Sequence, residues 1–461
     1  MHIGKAIAGN LLAGTLGRAI NALTPLLLVP LMIRHWGLHQ YGEWIILTAI
    51  PTYLMLSPDF GLAGAVVNQM AISTTEGKRN DAICMYRTSW IFLTIMAACF
   101  VLIGIAVSNW VNWQPLGVTL LSKHAAAIIS LSLIQIFISQ QILLLSGIYR
   151  CARRNPRCGA LGSLGYSFVL LVGCITLALS GDPVTFISAN VAARLVFLCV
   201  LLFDARRMMP DFTLGIRGVS LNAIRPYIIP GLGHATMPLI NALQNEGTVL
   251  ALGVILGPVS VAIFQTTRTA VNGARSLTGL AASAVMLEIP ALVGEGRLNT
   301  VRRLLVVNTQ VALTAIGGWL LLLAVFGGPI FHLWLHNGAI YSRPLVLLMM
   351  ASMFPMAFAD SFRALLLATN QIHKAVPLLL PAALISLAVT AAGGFLFGLN
   401  GAAFGMFAFE SMSLLVVCTV ASRRTQIQVK ATLAEVFSKH SVARTYNSAL
   451  STLRLAKCEW S

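Results

Sequence analysis

Charge is scarce in this chain, and negative charge most of all. Asp and Glu number 14 against 31 Lys and Arg, and charged residues make up 10% of 461. A soluble globular domain carries about 25%, so that class is excluded. There is no GxxxxGK[ST] loop and no polar region large enough for a nucleotide-binding domain, which excludes ATP hydrolysis of that kind. GxSxG, HExxH and EF-hand patterns are missing, and the loops are too short for a glycosyltransferase domain. An enzyme would have to work with acids inside the bilayer; the expectation is a non-enzyme that needs no cofactor. Cys84, Cys99, Cys151, Cys158, Cys174, Cys199, Cys418 and Cys458 show no CxxC spacing, so reduced thiols are expected. His332 and His336 have i, i+4 spacing without a third ligand nearby, which favours an interfacial role over a metal. The first apolar stretch is too long for a removable signal peptide and carries Arg18, Pro25 and Pro30; it is expected to be a true span.

What the chain has is apolar length. Apolar residues are 57% and the mean hydropathy is +0.83. A hydrocarbon core about 30 Å thick needs roughly 20 such residues per helix. Twelve segments qualify, near 7–33, 44–72, 88–109, 124–149, 159–180, 185–203, 227–256, 259–289, 305–330, 344–369, 377–398 and 402–421. With the N-terminus inside, the outer loops keep only Arg34, Lys123 and Arg343, while the inner segments hold most other Lys and Arg. That bias predicts a multi-pass protein with both termini cytoplasmic. It also makes the net charge of +17 a matter of topology and anionic lipid. Nucleic acid is not expected as a partner, because the basic residues are dispersed over many short loops.

Landmarks recur at a nearly constant offset. Ile20-Asn21-Ala22-Leu23 returns as Ile240-Asn241-Ala242-Leu243, Glu76-Gly77-Lys78 as Glu295-Gly296-Arg297, and Gly61-Leu62-Ala63 as Gly279-Leu280-Ala281. Six spans per repeat is an even number, so both halves enter the membrane from the same side. The expected fold is all-α and integral to the membrane, with two parallel six-helix repeats around a central cavity. The N-terminal bundle is assigned to 1–210, the C-terminal bundle to 220–421, and a basic cytoplasmic tail to 422–461. In that tail Val429, Leu433, Val436 and Phe437 among Lys430 and Lys439 suggest a short amphipathic helix on the inner leaflet; a disordered tail is the alternative.

Charges inside spans are costly in lipid. Arg18, Arg194, Arg268, Arg275 and Arg363 fall there, as do Asp59, Glu246, Asp360 and Glu410. Arg268 and Arg275, seven apart, occupy one side of a helix with no acid nearby in sequence, a pattern suited to an anion. Arg18 stands near Asn21, a candidate cavity lining. Arg194 fits a snorkelling or hydrogen-bonding role as well as ligand contact. Asp360 and Arg363 are i, i+3 neighbours, suited to an ion pair as much as to a site. Asp59 and Glu246 suit either a coupling proton or sodium ion, or permanent pairing with an arginine. Prolines 25, 30, 51, 58, 230 and 238 are expected to permit kinks.

Several motifs carry a resemblance. Trp36-Gly37-Leu38-His39-Gln40-Tyr41-Gly42-Glu43-Trp44, Asp59-Phe60-Gly61-Leu62, Leu256-Gly257-Pro258-Val259, Leu366 to Gln371 and Phe397 to Ala403 stand in order along the chain. Together they resemble the corresponding segments of bacterial polysaccharide and O-antigen flippases. These form the polysaccharide transport branch of the multidrug/oligosaccharidyl-lipid/polysaccharide exporter superfamily. Trp36 departs from the small aliphatic residue more usual there, and the tail after Arg424 carries no family motif. The resemblance implies a flippase of the bacterial inner membrane that moves undecaprenyl-pyrophosphate-linked oligosaccharide by ion-coupled alternating access. A polysaccharide polymerase and glycosyltransferases would be its partners. The pyrophosphate would meet Arg18, Asn21, Arg268, Arg275 and Arg363, and the coupling ion Asp59, Glu246 or Asp360. Three alternatives stay open: a drug or organic-cation antiporter of the same superfamily, a non-transporting scaffold for polysaccharide assembly, and a lipid scramblase.

Overall fold

Within lipid every backbone N–H and C=O must be satisfied inside its own segment, so each apolar run is driven to form a helix. The computed structural model describes the backbone of residues 2–55, 62–216, 218–335, 340–369, 371–425, 427–439 and 441. Side chains are described over the same range except 2–22, 54–55, 228–235, 277, 279–288, 290, 291 and 294. Among the described residues eleven α-helices follow in order: α1 (His2–Met55), α2 (Leu62–Thr75), α3 (Arg79–Trp110), α4 (Ala125–Cys151), α5 (Asn155–Leu179), α6 (Pro183–Met208), α7 (Arg225–Gly294), α8 (Leu298–Leu335), α9 (Arg343–Ala368), α10 (Val376–Arg424) and α11 (Val429–Val436). Eight of the described helices are long and apolar enough to cross a membrane. Three helices each carry two of the expected spans across a sharp bend, which accommodates the twelve segments: α1 at Gly37, α7 at Gly257 and α10 at Gly398. The protein is a multi-pass, all-helical membrane protein.

The breaks in helical φ/ψ fall at glycine. Pro25, Pro30 and Pro51 lie inside α1, whose backbone leaves helical values only at Gly37. Proline removes a hydrogen bond but keeps φ near the helical value. Gly37 (φ 71°, ψ 172°) and Gly257 (φ 78°, ψ 173°) need a region open essentially to glycine alone. Pro58 lies outside the described residues.

The repeat read from the sequence returns as backbone geometry, since these two glycines are 220 positions apart. The Glu-Gly-Lys and Glu-Gly-Arg landmarks are a second matching pair, both of them Schellman caps. Lys78 N donates to Ser73 O (2.8 Å) and Gly77 N to Thr74 O (3.3 Å), while Arg297 N donates to Leu292 O (2.9 Å) and Gly296 N to Val293 O (3.1 Å). Recurrence of the glycine therefore reflects a positive-φ helix stop needed in each half.

Two compact units are formed: Met1–Thr269 with His332–Ile340 and Gly394–Leu399, and Ala270–Phe331 with Tyr341–Gly393 and Asn400–Ser461. The first has a core of α2, α3, α4 and α6 side chains, with Tyr86, Tyr149 and Phe212 fully buried. Its connecting segment 209–224 is tied to α3. Arg87 Nε donates to Thr213 O (2.9 Å), Ser220 N donates to Thr88 Oγ1 (3.1 Å), and Arg79 pairs with Asp211 (2.8 Å).

In the second unit Asn308 and Thr309 of α8 both donate to Ser361 Oγ of α9, at 2.9 and 2.8 Å. The tail helix α11 forms where the sequence suggested, but its apolar side meets protein. Val429, Thr432 and Val436 are buried while Phe437 stays 71% exposed. Gln310 Nε2 donates to Val436 O (2.9 Å), and Arg302 pairs with Glu435 (2.7 Å) and donates to Ala431 O (3.2 Å). A half-exposed ion pair contributes up to about 1 kcal/mol. Arg302→Ala is therefore expected to raise trypsin cleavage at Lys430 and Lys439 about fivefold, in proportion to tail opening. An unchanged digestion rate would show that the pair does not hold the tail.

Candidate functional site

Of the described intramembrane charges named from the sequence, all but Arg194 of α6 fall into two groups, one in each unit. In the first unit, the second half of α7 brings Arg268 to a buried position, 5% exposed. Its guanidinium donates to Gln265 Oε1, one helical turn earlier, and to Asn245 O at 3.3 Å. Glu246 is half-buried and lies within electrostatic reach of Arg268. Two tyrosines of α1 complete the group. Tyr41 sits against Thr266 and near Arg268, and the Tyr53 hydroxyl donates to Leu243 O (3.5 Å) close to Glu246. Arg18 and Asn21 lie on α1 with side chains outside the described residues, and Asp59 lies outside them altogether.

The second group sits on α7, α9 and α10. Arg363 pairs with Asp360 one turn away, as the i, i+3 spacing predicts, and donates to Ser413 Oγ at 2.9 Å. Glu410 stands one turn before Ser413, with a buried Oε2 that has no hydrogen-bond partner. Arg363, Arg275 and Asp360 all lie within its electrostatic reach. Arg275 itself is exposed.

Arg268 and Arg275 have no acid nearby in sequence, and folding brings Glu246 within electrostatic reach of the first and Glu410 within that of the second. Spacing along α7 reveals neighbours on that helix alone, and Glu410 comes from α10. Ser413, Tyr41 and Tyr53 were missed. A signal existed for Ser413, since Glu410 and Ser413 share a helix face, and none for the tyrosines, which meet α7 only through tertiary packing.

Elsewhere Glu43, at 0% exposure, accepts from Thr119 N (2.8 Å), Thr119 Oγ1 (3.0 Å), Leu120 N (3.0 Å) and Leu121 N (2.7 Å). Its oxygens are filled by the chain, so it is a clamp on the loop between α3 and α4 and offers no acceptor to a ligand. His336 lies outside the described residues, and among those described no group of three His, Cys, Asp or Glu stands together.

No protein-family model and no curated protein sequence matches the chain. Solved structures do. One neighbour is an inward-facing multidrug resistance MATE family transporter of the MOP superfamily, with TM-score 0.71 at 15% identity, covering 91% of this chain and 96% of that one. An outward-facing structure described in the same words gives 0.63 at 15% identity, over 93% and 96%. A MOP superfamily transporter from Pyrococcus furiosus, described as having a binding pocket of reverse polarity, gives 0.63 at 13% identity, over 93% and 96%. At these identities the likeness is one of fold: the chain has the all-helical architecture of MOP superfamily transporters.

Proposed function

We propose that this protein is a flippase that carries undecaprenyl-pyrophosphate-linked oligosaccharide across the bacterial inner membrane for polysaccharide or O-antigen synthesis, by ion-coupled alternating access. The observation that carries this reading is that the deep acids Glu246, Asp360 and Glu410 each have arginine within electrostatic reach: Arg268 for Glu246, Arg363 for Asp360, and Arg363 and Arg275 for Glu410. Arg194, within α6, hydrogen-bonds to the neutral Ser139 (3.0 Å). An organic-cation site is served best by a carboxylate whose charge no neighbouring arginine offsets. A pyrophosphate is met by guanidinium groups, which form charge-assisted, bidentate bonds.

In this mechanism Arg18, Asn21, Arg268, Arg275 and Arg363 receive the diphosphate, and the glycan crosses through a wet path while the lipid tail stays in the bilayer. A proton or sodium ion at Asp59, Glu246 or Asp360 biases one conformation, which requires different affinity in the two states. The six-helix bundles 1–210 and 220–421 are the moving bodies, and both termini face the cytoplasm.

Proteoliposomes under an imposed ion gradient test this. The native chain is expected to expose a lectin-detectable lipid-linked glycan on the far leaflet. Arg268→Ala/Arg275→Ala is expected to slow it by at least about 10- to 100-fold, the worth of one charged hydrogen bond. The second reading, organic-cation antiport, is favoured by the multidrug description of the neighbouring structures. Export of organic cations with no movement of any glycan lipid would establish it in place of the first.

A further inference from the structure

A cavity of about 340 Å³ lies within the first unit, among α1, α4, α5 and α6. That is the lower end of the range for small-molecule sites, roughly 300–1,000 Å³. Trp44, Ser132, Gln135, Tyr166, Asn190 and Arg194 line it, and no Asp, Glu or Lys does. Its polar atoms are unusually idle. Ser132 Oγ, Gln135 Oε1 and Arg194 Nε are buried without a hydrogen-bond partner. Ser132 is only 6% exposed, as is Asn190, whose amide donates to Phe186 O (2.8 Å). Buried polar groups in native proteins are nearly always satisfied, so a cluster without protein partners lining a cavity suits a polar ligand.

The chemistry of the wall defines that ligand. Arg194 Nε is a charged donor that requires an acceptor, and an anionic oxygen such as that of a carboxylate serves it best. Gln135 Oε1 accepts and therefore requires a hydroxyl or N–H, and Ser132 Oγ takes either role. Trp44, packed edge-on against Phe186 with ring centroids 5.6 Å apart, offers an apolar wall beside Tyr166. One negative group, several hydroxyls and an apolar face together describe a sugar acid. We infer that this cavity binds a carboxylate-bearing sugar residue, with Arg194 holding the carboxylate and Ser132 and Gln135 the ring hydroxyls. The inference deepens the proposed function by giving its glycan an acidic residue, and it rests on that reading only in taking the sugar to be lipid-linked.

The full-length chain in detergent is titrated with glucuronate, glucose and acetate, reading the thermal midpoint and tryptophan emission. Glucuronate is expected to bind at least about tenfold more tightly than glucose, the loss on removing one charged hydrogen bond, and acetate to have no effect. Arg194→Gln should abolish that preference and Arg194→Lys restore part of it. Gln135→Leu, which leaves the charge in place, should weaken both sugars. Equal binding of glucose and glucuronate, acetate matching glucuronate, or an unaltered preference in Arg194→Gln would overturn the assignment. Flipping of a neutral and an acidic glycan lipid separates this outcome from that of the function. If glycan lipids move but glucuronate does not bind, the cavity assignment fails alone. If glucuronate binds through Arg194 but no glycan lipid moves, the flippase reading fails and the sugar-acid site stands for a free ligand.

Discussion

Glu43→Ala is expected to lower the stability of the folded chain by about 3 kcal/mol. A hydrogen bond to a charged group is worth roughly 1.5–3 kcal/mol, and Glu43 accepts four, part of which water replaces once the carboxylate is gone. Thr119 and Leu120 are exposed, so their N–H groups turn to solvent; Leu121 is 2% exposed, and its N–H is left without a partner. Glu43→Gln keeps one acceptor oxygen but points an amide N–H at a donor, and is expected to cost about half as much. In detergent, the apparent melting point of the alanine variant should fall by roughly 5 °C. A melting point within a degree of the native value would show that the loop between α3 and α4 is held by its apolar anchors Trp113, Val118 and Leu121 alone.

A larger effect is expected from adding one methyl group at Gly42. A Cβ there would stand 1.9 Å from Pro258 O and 2.4 Å from Pro258 C, both of them backbone atoms. Ordinary overpacking costs about 1–3 kcal/mol because side chains move aside. Here the obstacle is the turn that follows Gly257, itself fixed by its positive φ, and the same Pro258 ring packs on Gly117. Gly42→Ala is therefore expected to cost more than about 3 kcal/mol and to remove the monodisperse peak in size exclusion. Gly64→Ala, where a Cβ meets nothing within 4 Å, is the matched control and should behave as the native chain. Normal yield and mobility for Gly42→Ala would mean that the Gly37 and Gly257 turns do not need to meet for the protein to fold.

These two residues show how the motif around Trp36 to Trp44 is to be understood. It was legible as a turn between spans and as a family resemblance. That Gly42 is the floor on which Pro258 rests, and Glu43 the clamp on residues 119–121, was not, because both partners lie at least 76 positions away. The tail helix gives the same lesson. Its periodicity was visible, but the choice between lipid and protein for its apolar side depended on Gln310 and Arg302 of α8.

The helical membrane architecture, the twelve-segment pattern and the duplicated landmarks belong to the chain itself. Apolar length, helix period and glycine at a positive-φ stop are local properties, and lipid leaves the backbone no choice but the helix. The Asp360–Arg363 pair was readable for the same reason, since i, i+3 residues are neighbours on any helix. Which acid stands by which arginine, which side chains are left idle around the cavity of the first unit, and which turn rests on which glycine were decided only when the helices packed. Those relations join residues from different helices, and hydropathy carries no record of which faces meet.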